Sequence, residues 1–309
     1  MSSIAAIRAQ RQSIPLPTTS FAGQTIIVTG SNTGLGLEAA RHFVRLDAAR
    51  VILAVRSVKK GEDAKASIEA STNRKNIIEV WQVDMSNYDS IKAFATKCYS
   101  LDRLDVVVAN AGVLRNTYEE SEGTEITITK VKGNNSTNIK ASDNKLCADN
   151  WKAKFLERHE SSIFEAFKKD KKSYLADRYN TSKLLEVLLV RSVSEAMEKG
   201  SHAAEPVILN NVNPGLCHSE LDKDVKGPAG YVLTIAKALI ARTTEVGGRT
   251  LVHSAAAGGE SHGQYMSECK VKEPSAFVRS KEGSIAQERV HKELMDILET
   301  IQPGITKNI

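Results

Sequence analysis

The feature that most constrains this chain is the run Thr25-Ile26-Ile27-Val28-Thr29 followed at once by Gly30-Ser31-Asn32-Thr33-Gly34-Leu35-Gly36. Consecutive β-branched residues favour extended backbone. A continuous run, rather than strict alternation, suits a strand buried on both faces of a parallel sheet. Leu37, Ala40, Phe43 and Val44 then recur at helical spacing. The glycines therefore join a buried strand to an amphipathic helix. Glycine permits the tight turn and lets backbone N–H groups approach a pyrophosphate, and a helix N-terminus favours an anion. The spacing is GxxxGxG, which differs from the P-loop pattern and argues against a nucleoside triphosphatase. A dinucleotide site is expected here.

The same strand–helix rhythm continues. Val51 to Val55, Ile77 to Val83 and Leu104 to Ala109 read as strands, with helices between them, one from Tyr88 to Tyr99. This repetition predicts an α/β fold: a doubly wound parallel sheet of Rossmann type, in three αβα layers. Residues 1–20 read as a flexible leader ending at Pro15-Leu16-Pro17, and residues 21–309 as a single domain. The rhythm breaks after Val113. Residues 121–150 have too few large apolar side chains to cover a sheet face and read as loop or frayed structure. Order resumes with Trp151 to Phe155, then Phe164 and Phe167 in a charged stretch, followed by a long helix from Ser173 to Lys199 and a buried strand from Val207 to Val212, stopped by Pro214-Gly215. Helices follow at Gly230 to Ala241, Glu245 to Ala257 and Ser284 to Ile301.

Composition removes several function classes. Lys and Arg exceed Asp and Glu by 42 to 37, a net +5 that is small and dispersed, so no nucleic-acid partner is expected. Cys98, Cys147, Cys217 and Cys269 are far apart and form no CxxC, as in reduced thiols of a cytoplasmic protein. The seven histidines show no paired-ligand spacing, so no metal is expected. No apolar run reaches about 18 residues, so no integral membrane segment is expected. Ser254 and Ser261 lack the GxSxG elbow of a hydrolase.

The end of the second strand bears on the cofactor. An acidic residue there would bond the ribose hydroxyl of NAD, whereas a basic one accommodates the 2′-phosphate of NADP. The sequence is Ala54-Val55-Arg56-Ser57-Val58-Lys59-Lys60, with three cations and no carboxylate. NADP(H) is expected, with Arg56 as the deciding residue. The missing carboxylate also disfavours a nucleotide-fold methyltransferase.

Further motifs come in a fixed order: Val83-Asp84-Met85, Asn110-Ala111-Gly112, Tyr179-Asn180-Thr181-Ser182-Lys183 and Asn213-Pro214-Gly215. With the glycine loop they resemble the short-chain dehydrogenase/reductase family, closest to retinol-dehydrogenase-like and fungal secondary-metabolism members. The likeness runs over most of residues 20–305, through Gly247-Gly248-Arg249-Thr250 and Gly263-Gln264-Tyr265, and fails around 126–150. The resemblance implies hydride transfer between a nicotinamide and a carbonyl or carbinol carbon of a hydrophobic small molecule. It implies Tyr179 as proton donor or acceptor. Lys183 would lower the phenol pKa and bond the nicotinamide ribose. A Lys at i+4 faces the same side of a helix as the Tyr, and an ammonium favours phenolate over phenol. The resemblance further places Gly30, Ser31, Thr33, Gly34, Leu35, Gly36, Met85, Ala111 and Gly112 at the cofactor. Asp84 would cap the adenine and Asn110 would line the ribose side. Pro214, Gly215 and Leu216 would pass the nicotinamide carboxamide, and Ser219 would contact phosphate. The family often pairs helices four and five across subunits, so a homodimer is admitted. A second YxxxK pair, Tyr88 with Lys92, precedes Asn110-Ala111-Gly112 and reads as ordinary helix surface.

The family also requires a catalytic Ser at the end of the fifth strand, and an Asn on the preceding helix. Two alignments compete. In one, Glu125 to Val131 is that strand and Ser136 follows it. In the other, preferred here, Ala141-Ser142-Asp143 carries the Ser; Asn134 and Asn135 are weaker candidates for the Asn. Asp47 stands where relatives usually have a helix-ending Gly, a strained choice if φ is positive there. The alternative to an enzyme is an NADP-binding protein with impaired catalysis: a scaffold, a sensor or a truncated variant.

Overall fold

The computed structural model describes residues 3–112, 119–125, 162–164, 175–200, 203, 207–219 and 228–309. Residues 126–161, including Ser142, Ser136, Asn134 and Asn135, lie outside the described residues. The elements are, in chain order, α1 (Ser3–Gln10), β1 (Thr25–Thr29), α2 (Gly34–Arg45), β2 (Arg50–Val55), α3 (Val58–Thr72), β3 (Ile78–Gln82), α4 (Tyr88–Tyr99) and β4 (Val106–Val108). Then come β5 (Glu120–Ser121), β6 (Thr124–Glu125), α5 (Leu175–Met197), β7 (Asn211–Asn213), α6 (Pro228–Ile240), α7 (Thr244–Ala255), β8 (Tyr265–Ser267), β9 (Lys270–Lys272) and α8 (Lys281–Ile301). The chain divides into two compact units. One comprises 1–113, 214–257 and 267–269; the other comprises 114–213, 258–266 and 270–309.

The first unit is built on a parallel sheet of order β3-β2-β1-β4. Ile26 pairs with Val51 and Val106, and Val28 with Leu53 and Val108, so the β-branched runs stack in register. Every residue of β1 is buried, as the continuous apolar run predicts. Helices follow β1, β2 and β3 in turn, which makes this sheet one half of a Rossmann-like doubly wound fold. Ile27, Ile52, Ala54, Trp81, Val83 and Met85 form a core that Ile91 and Phe94 of α4 cover. β4 departs from the expectation of burial on both faces, because Val107 is 52% exposed.

Residues 1–20, expected as a flexible leader, are tied down over much of their length. Ile14 and Pro17 are buried, and Phe21 meets Phe43 of α2 edge to face at 4.9 Å. Arg249 Nη1 of α7 donates to the Ile14 carbonyl at 2.8 Å. Burial of the apolar side chains at 14, 17 and 21 offsets part of the entropy of ordering the segment.

The second unit is centred on α5 and α8. Leu185, Leu188 and Leu189 pack with Ala286, Val290 and Leu294, together with Ile163 and Phe164. A small sheet of order β7-β8-β9 belongs to this part of the chain. The strand expected at Val207 to Val212 is shorter and later, at 211–213. Val207 and Ile208 are exposed, because pairing starts only at Asn211. β5 and β6 form an antiparallel hairpin closed by Glu122 and Gly123, both at positive φ, the geometry of a two-residue turn. Glu125, the start of one candidate fifth strand, therefore ends a hairpin.

Candidate functional site

In the first unit the glycine loop sits between β1 and α2. Gly30 has φ +64, and its N–H donates to the Ala54 carbonyl of β2 at 2.8 Å. Ser31 is fully buried and its hydroxyl donates to Val28 O at 2.8 Å, so its side chain braces the loop from inside. Thr33 is the N-cap of α2, in extended backbone, and makes no side-chain cap bond. Four other helices are capped by their own chain: α3 by Ser57, α4 by Asn87, α7 by Thr243 and α8 by Ser280. The first-turn amides of Gly34, Leu35 and Gly36 are thus the donors that no N-cap side chain takes up. That set fits the pyrophosphate of a dinucleotide.

Asn110 follows β4 and packs into the same loop. Its Nδ2 donates to Thr29 O at 2.9 Å and to Gly30 O at 3.3 Å, and the Ala111 N–H donates to Thr29 Oγ1 at 3.0 Å. A Cβ on Gly36 would overlap Asn110 Nδ2 and lie 2.8 Å from Gly30 O. Gly36 is therefore required by the packing of Asn110 against the loop. Gly112 follows Ala111 and is exposed.

Arg56 follows the last residue of β2 and is exposed, as are Lys59 and Lys60 at the start of α3. Residues 54–61, which end β2 and open α3, include no Asp or Glu. Asp84 is held in a local turn: its Oδ1 accepts from Ser86 N at 2.9 Å and Ser86 Oγ at 2.6 Å. Met85 beside it is buried in the sheet-and-α4 core. Pro214 O accepts from Arg242 Nη1 at 2.8 Å. Leu216 is bonded through both its N–H and its carbonyl to the side chain of Gln10, at 2.9 and 2.7 Å. Ser219 O accepts from Lys237 Nζ at 3.2 Å. Gln10 and Arg242 were not indicated by the sequence.

In the second unit Tyr179 and Lys183 lie one turn apart on α5, and Lys183 Nζ is 5.7 Å from the Tyr179 ring centroid. That places a cation within cation–π reach of the phenol. Lys183 is buried and its ammonium donates to both carboxylate oxygens of Glu186, each at 3.1 Å. Burial pushes the Glu186 carboxyl above the usual carboxylate range, and the Lys183 charge pulls the other way. The i+3 spacing of Glu186 from Lys183 is visible in the sequence, whereas the burial of the pair is not. The other YxxxK pair lies on α4, where Lys92 faces the exposed Asp89 at 3.8 Å, a surface arrangement.

The short chain dehydrogenase family model matches residues 24–228. The chain belongs to the short-chain dehydrogenase family. It is 42% identical to the short chain dehydrogenase/reductase dmxR8 of Cryptosporiopsis sp., over 96% of this chain and 97% of that one. Among solved structures, a protein of Mycobacterium paratuberculosis shares the fold at TM-score 0.63 and 19% identity, over 91% of this chain and 98% of that one. The L-sorbose reductase of Gluconobacter frateurii, complexed with NADPH and L-sorbose, shares it at TM-score 0.50 and 18% identity, over 81% and 96%. Short-chain dehydrogenases are oxidoreductases that bind a nicotinamide cofactor and act on small molecules. Among the described residues, no group of three or more His, Cys, Asp or Glu could hold a metal. No described helix is long and apolar enough to cross a membrane.

Proposed function

We propose that this short-chain dehydrogenase is an NADP(H)-dependent oxidoreductase that interconverts a carbonyl and an alcohol on a hydrophobic small molecule, an intermediate of secondary metabolism. The observation that carries the cofactor choice is the end of β2, where Arg56 is exposed and residues 54–61 include no Asp or Glu. A 2′-phosphate meets a guanidinium there, whereas the ribose hydroxyl of NAD would find no acid. The amides of Gly34 to Gly36 would hold the pyrophosphate, and Pro214 to Leu216 would flank the carboxamide. Asp84, Asn110 and Ser219 would complete the cofactor contacts.

When bound, the nicotinamide supplies or accepts the hydride. The chain's own residues handle the proton. Tyr179 gives a proton to the substrate oxygen during reduction and takes one during oxidation. An ordinary tyrosine titrates near 10, too high for an efficient relay at neutral pH. The Lys183 ammonium favours phenolate, while Glu186 balances that charge and fixes the lysine's orientation. Ser142 would hold the substrate oxygen.

A second reading, cofactor binding with impaired turnover, draws on the same ion pair: a Lys183 ammonium held by both Glu186 oxygens acts less strongly on Tyr179. One experiment separates the two. Calorimetric titration with NADPH and NADH is followed by a carbonyl substrate panel for the wild type and Tyr179→Phe. The enzyme reading expects NADPH to bind more tightly than NADH, and Arg56→Ala to erase most of that preference. It expects Tyr179→Phe to reduce turnover by about 10²-fold or more with NADPH affinity nearly unchanged. NADPH binding with no turnover across the panel selects the second reading. Equal activity in Tyr179→Phe removes the tyrosine from the mechanism.

A further inference from the structure

We infer that Gln10 is a positioning residue for the nicotinamide end of the cofactor site, holding the Pro214–Leu216 turn in its working shape before any cofactor arrives. The inference rests on the proposed reading that this turn flanks the carboxamide. All the residues involved belong to the first unit.

The Gln10 carboxamide treats Leu216 as a neighbouring strand would. Its Oε1 accepts from Leu216 N–H at 2.9 Å, and its Nε2 donates to Leu216 O at 2.7 Å and to Ile240 O at 2.9 Å. Arg242, nearly fully buried, closes the other side. Its Nη1 donates to Pro214 O at 2.8 Å, and its Nη2 donates to Ala9 O at 2.9 Å, the carbonyl next to Gln10. Gly215 lies between the two groups at φ +77. A Cβ there would sit 2.6 Å from Gln10 Oε1 and 2.8 Å from Arg242 Nη1. The turn and its clamp are therefore fitted to each other, and both require glycine at 215.

The physical consequence follows from the cost of ordering. A loop that must become fixed on binding loses affinity through lost conformational freedom, and one already fixed does not. The clamp also needs a carboxamide specifically. A carboxylate would accept from Leu216 N–H but would face two carbonyls with no donor. An N-terminal helix that merely sat on the surface would need neither this chemistry nor this match.

The test compares two ligands by calorimetry: NADPH, and adenosine 2′,5′-bisphosphate, which carries the 2′-phosphate but no nicotinamide. Gln10→Ala is expected to weaken NADPH roughly tenfold, with the bisphosphate Kd unchanged within about twofold. Gln10→Glu should weaken NADPH at least as much. Gln12→Ala, at an exposed neighbouring position, should change neither. Unaltered NADPH affinity in Gln10→Ala overturns the inference. Equal weakening of both ligands also overturns it, because it shows a structural role for the whole unit. If the wild type binds neither ligand, the NADP reading itself fails, a result distinct from either variant outcome.

Discussion

The glycine loop and the Tyr179 helix treat charge in opposite ways. At the start of α2, Thr33 gives no side-chain cap, whereas Ser57, Asn87, Thr243 and Ser280 each cap their own helix. On α5 the ammonium of Lys183 is matched by a buried carboxylate one turn away. An anion site is thus built by withholding a local partner from backbone donors. A buried cation is kept by supplying one, since an unpaired charge in the interior costs several kcal/mol. The loop is held by neutral groups packed and hydrogen-bonded around it; α5 depends on a charge pair whose balance moves with pH.

The largest effect that sharpens this contrast is expected from Gly36→Ala. The new methyl would displace the Asn110 amide and break its bonds to Thr29 O and Gly30 O. Urea denaturation should show a loss of about 1–3 kcal/mol, the usual range for overpacking, with NADPH binding weakened alongside. An unchanged midpoint would mean that Asn110 relaxes away and that the loop tolerates a methyl group at position 36.

Glu186→Gln probes the other region through pH. Burial, the main influence on Glu186, raises its carboxyl above the unfolded value, and Lys183 opposes that rise. Between the ordinary carboxylate pKa and the raised one, the folded state binds more protons than the unfolded state. The stability contribution is therefore full at acid pH and is lost as pH rises through the folded pKa. Urea midpoints measured from acid to neutral pH should decline for the wild type and decline less for Glu186→Gln. Parallel curves would show that the pair sets its own balance without a net shift.

Asp47→Gly should have the smallest effect. Asp47 follows the end of α2 at φ +68, where glycine is unstrained, and its carboxylate makes a long 3.7 Å ion pair with Arg74. A gain of about 0.5–1 kcal/mol in thermal or chemical denaturation is expected. A loss would assign more to the Arg74 contact than an exposed pair normally contributes.

Much of the first unit was legible because its determinants are local. The β-branched run at 25–29 is β1, Tyr88 to Tyr99 is α4, and the positive φ suspected at Asp47 is there. Glu186 was visible at i+3 from Lys183, but such a pair normally reads as a solvated helix face until burial is known. Gln10 left no trace at all. It stands in a stretch that looked like a leader, and its partner Leu216 is 206 residues away.

The sequence alone determined the strand–loop–helix order, the glycine spacing, the basic end of β2 and the family, because side-chain branching and backbone freedom act within a few residues. The tertiary structure decided that the N-terminal segment clamps the Pro214–Leu216 turn, that Asn110 makes glycine obligatory at 36, and that Lys183 is held by a buried acid. Those outcomes depend on which groups lose water together, and desolvation is a property of the packed chain, not of neighbouring residues.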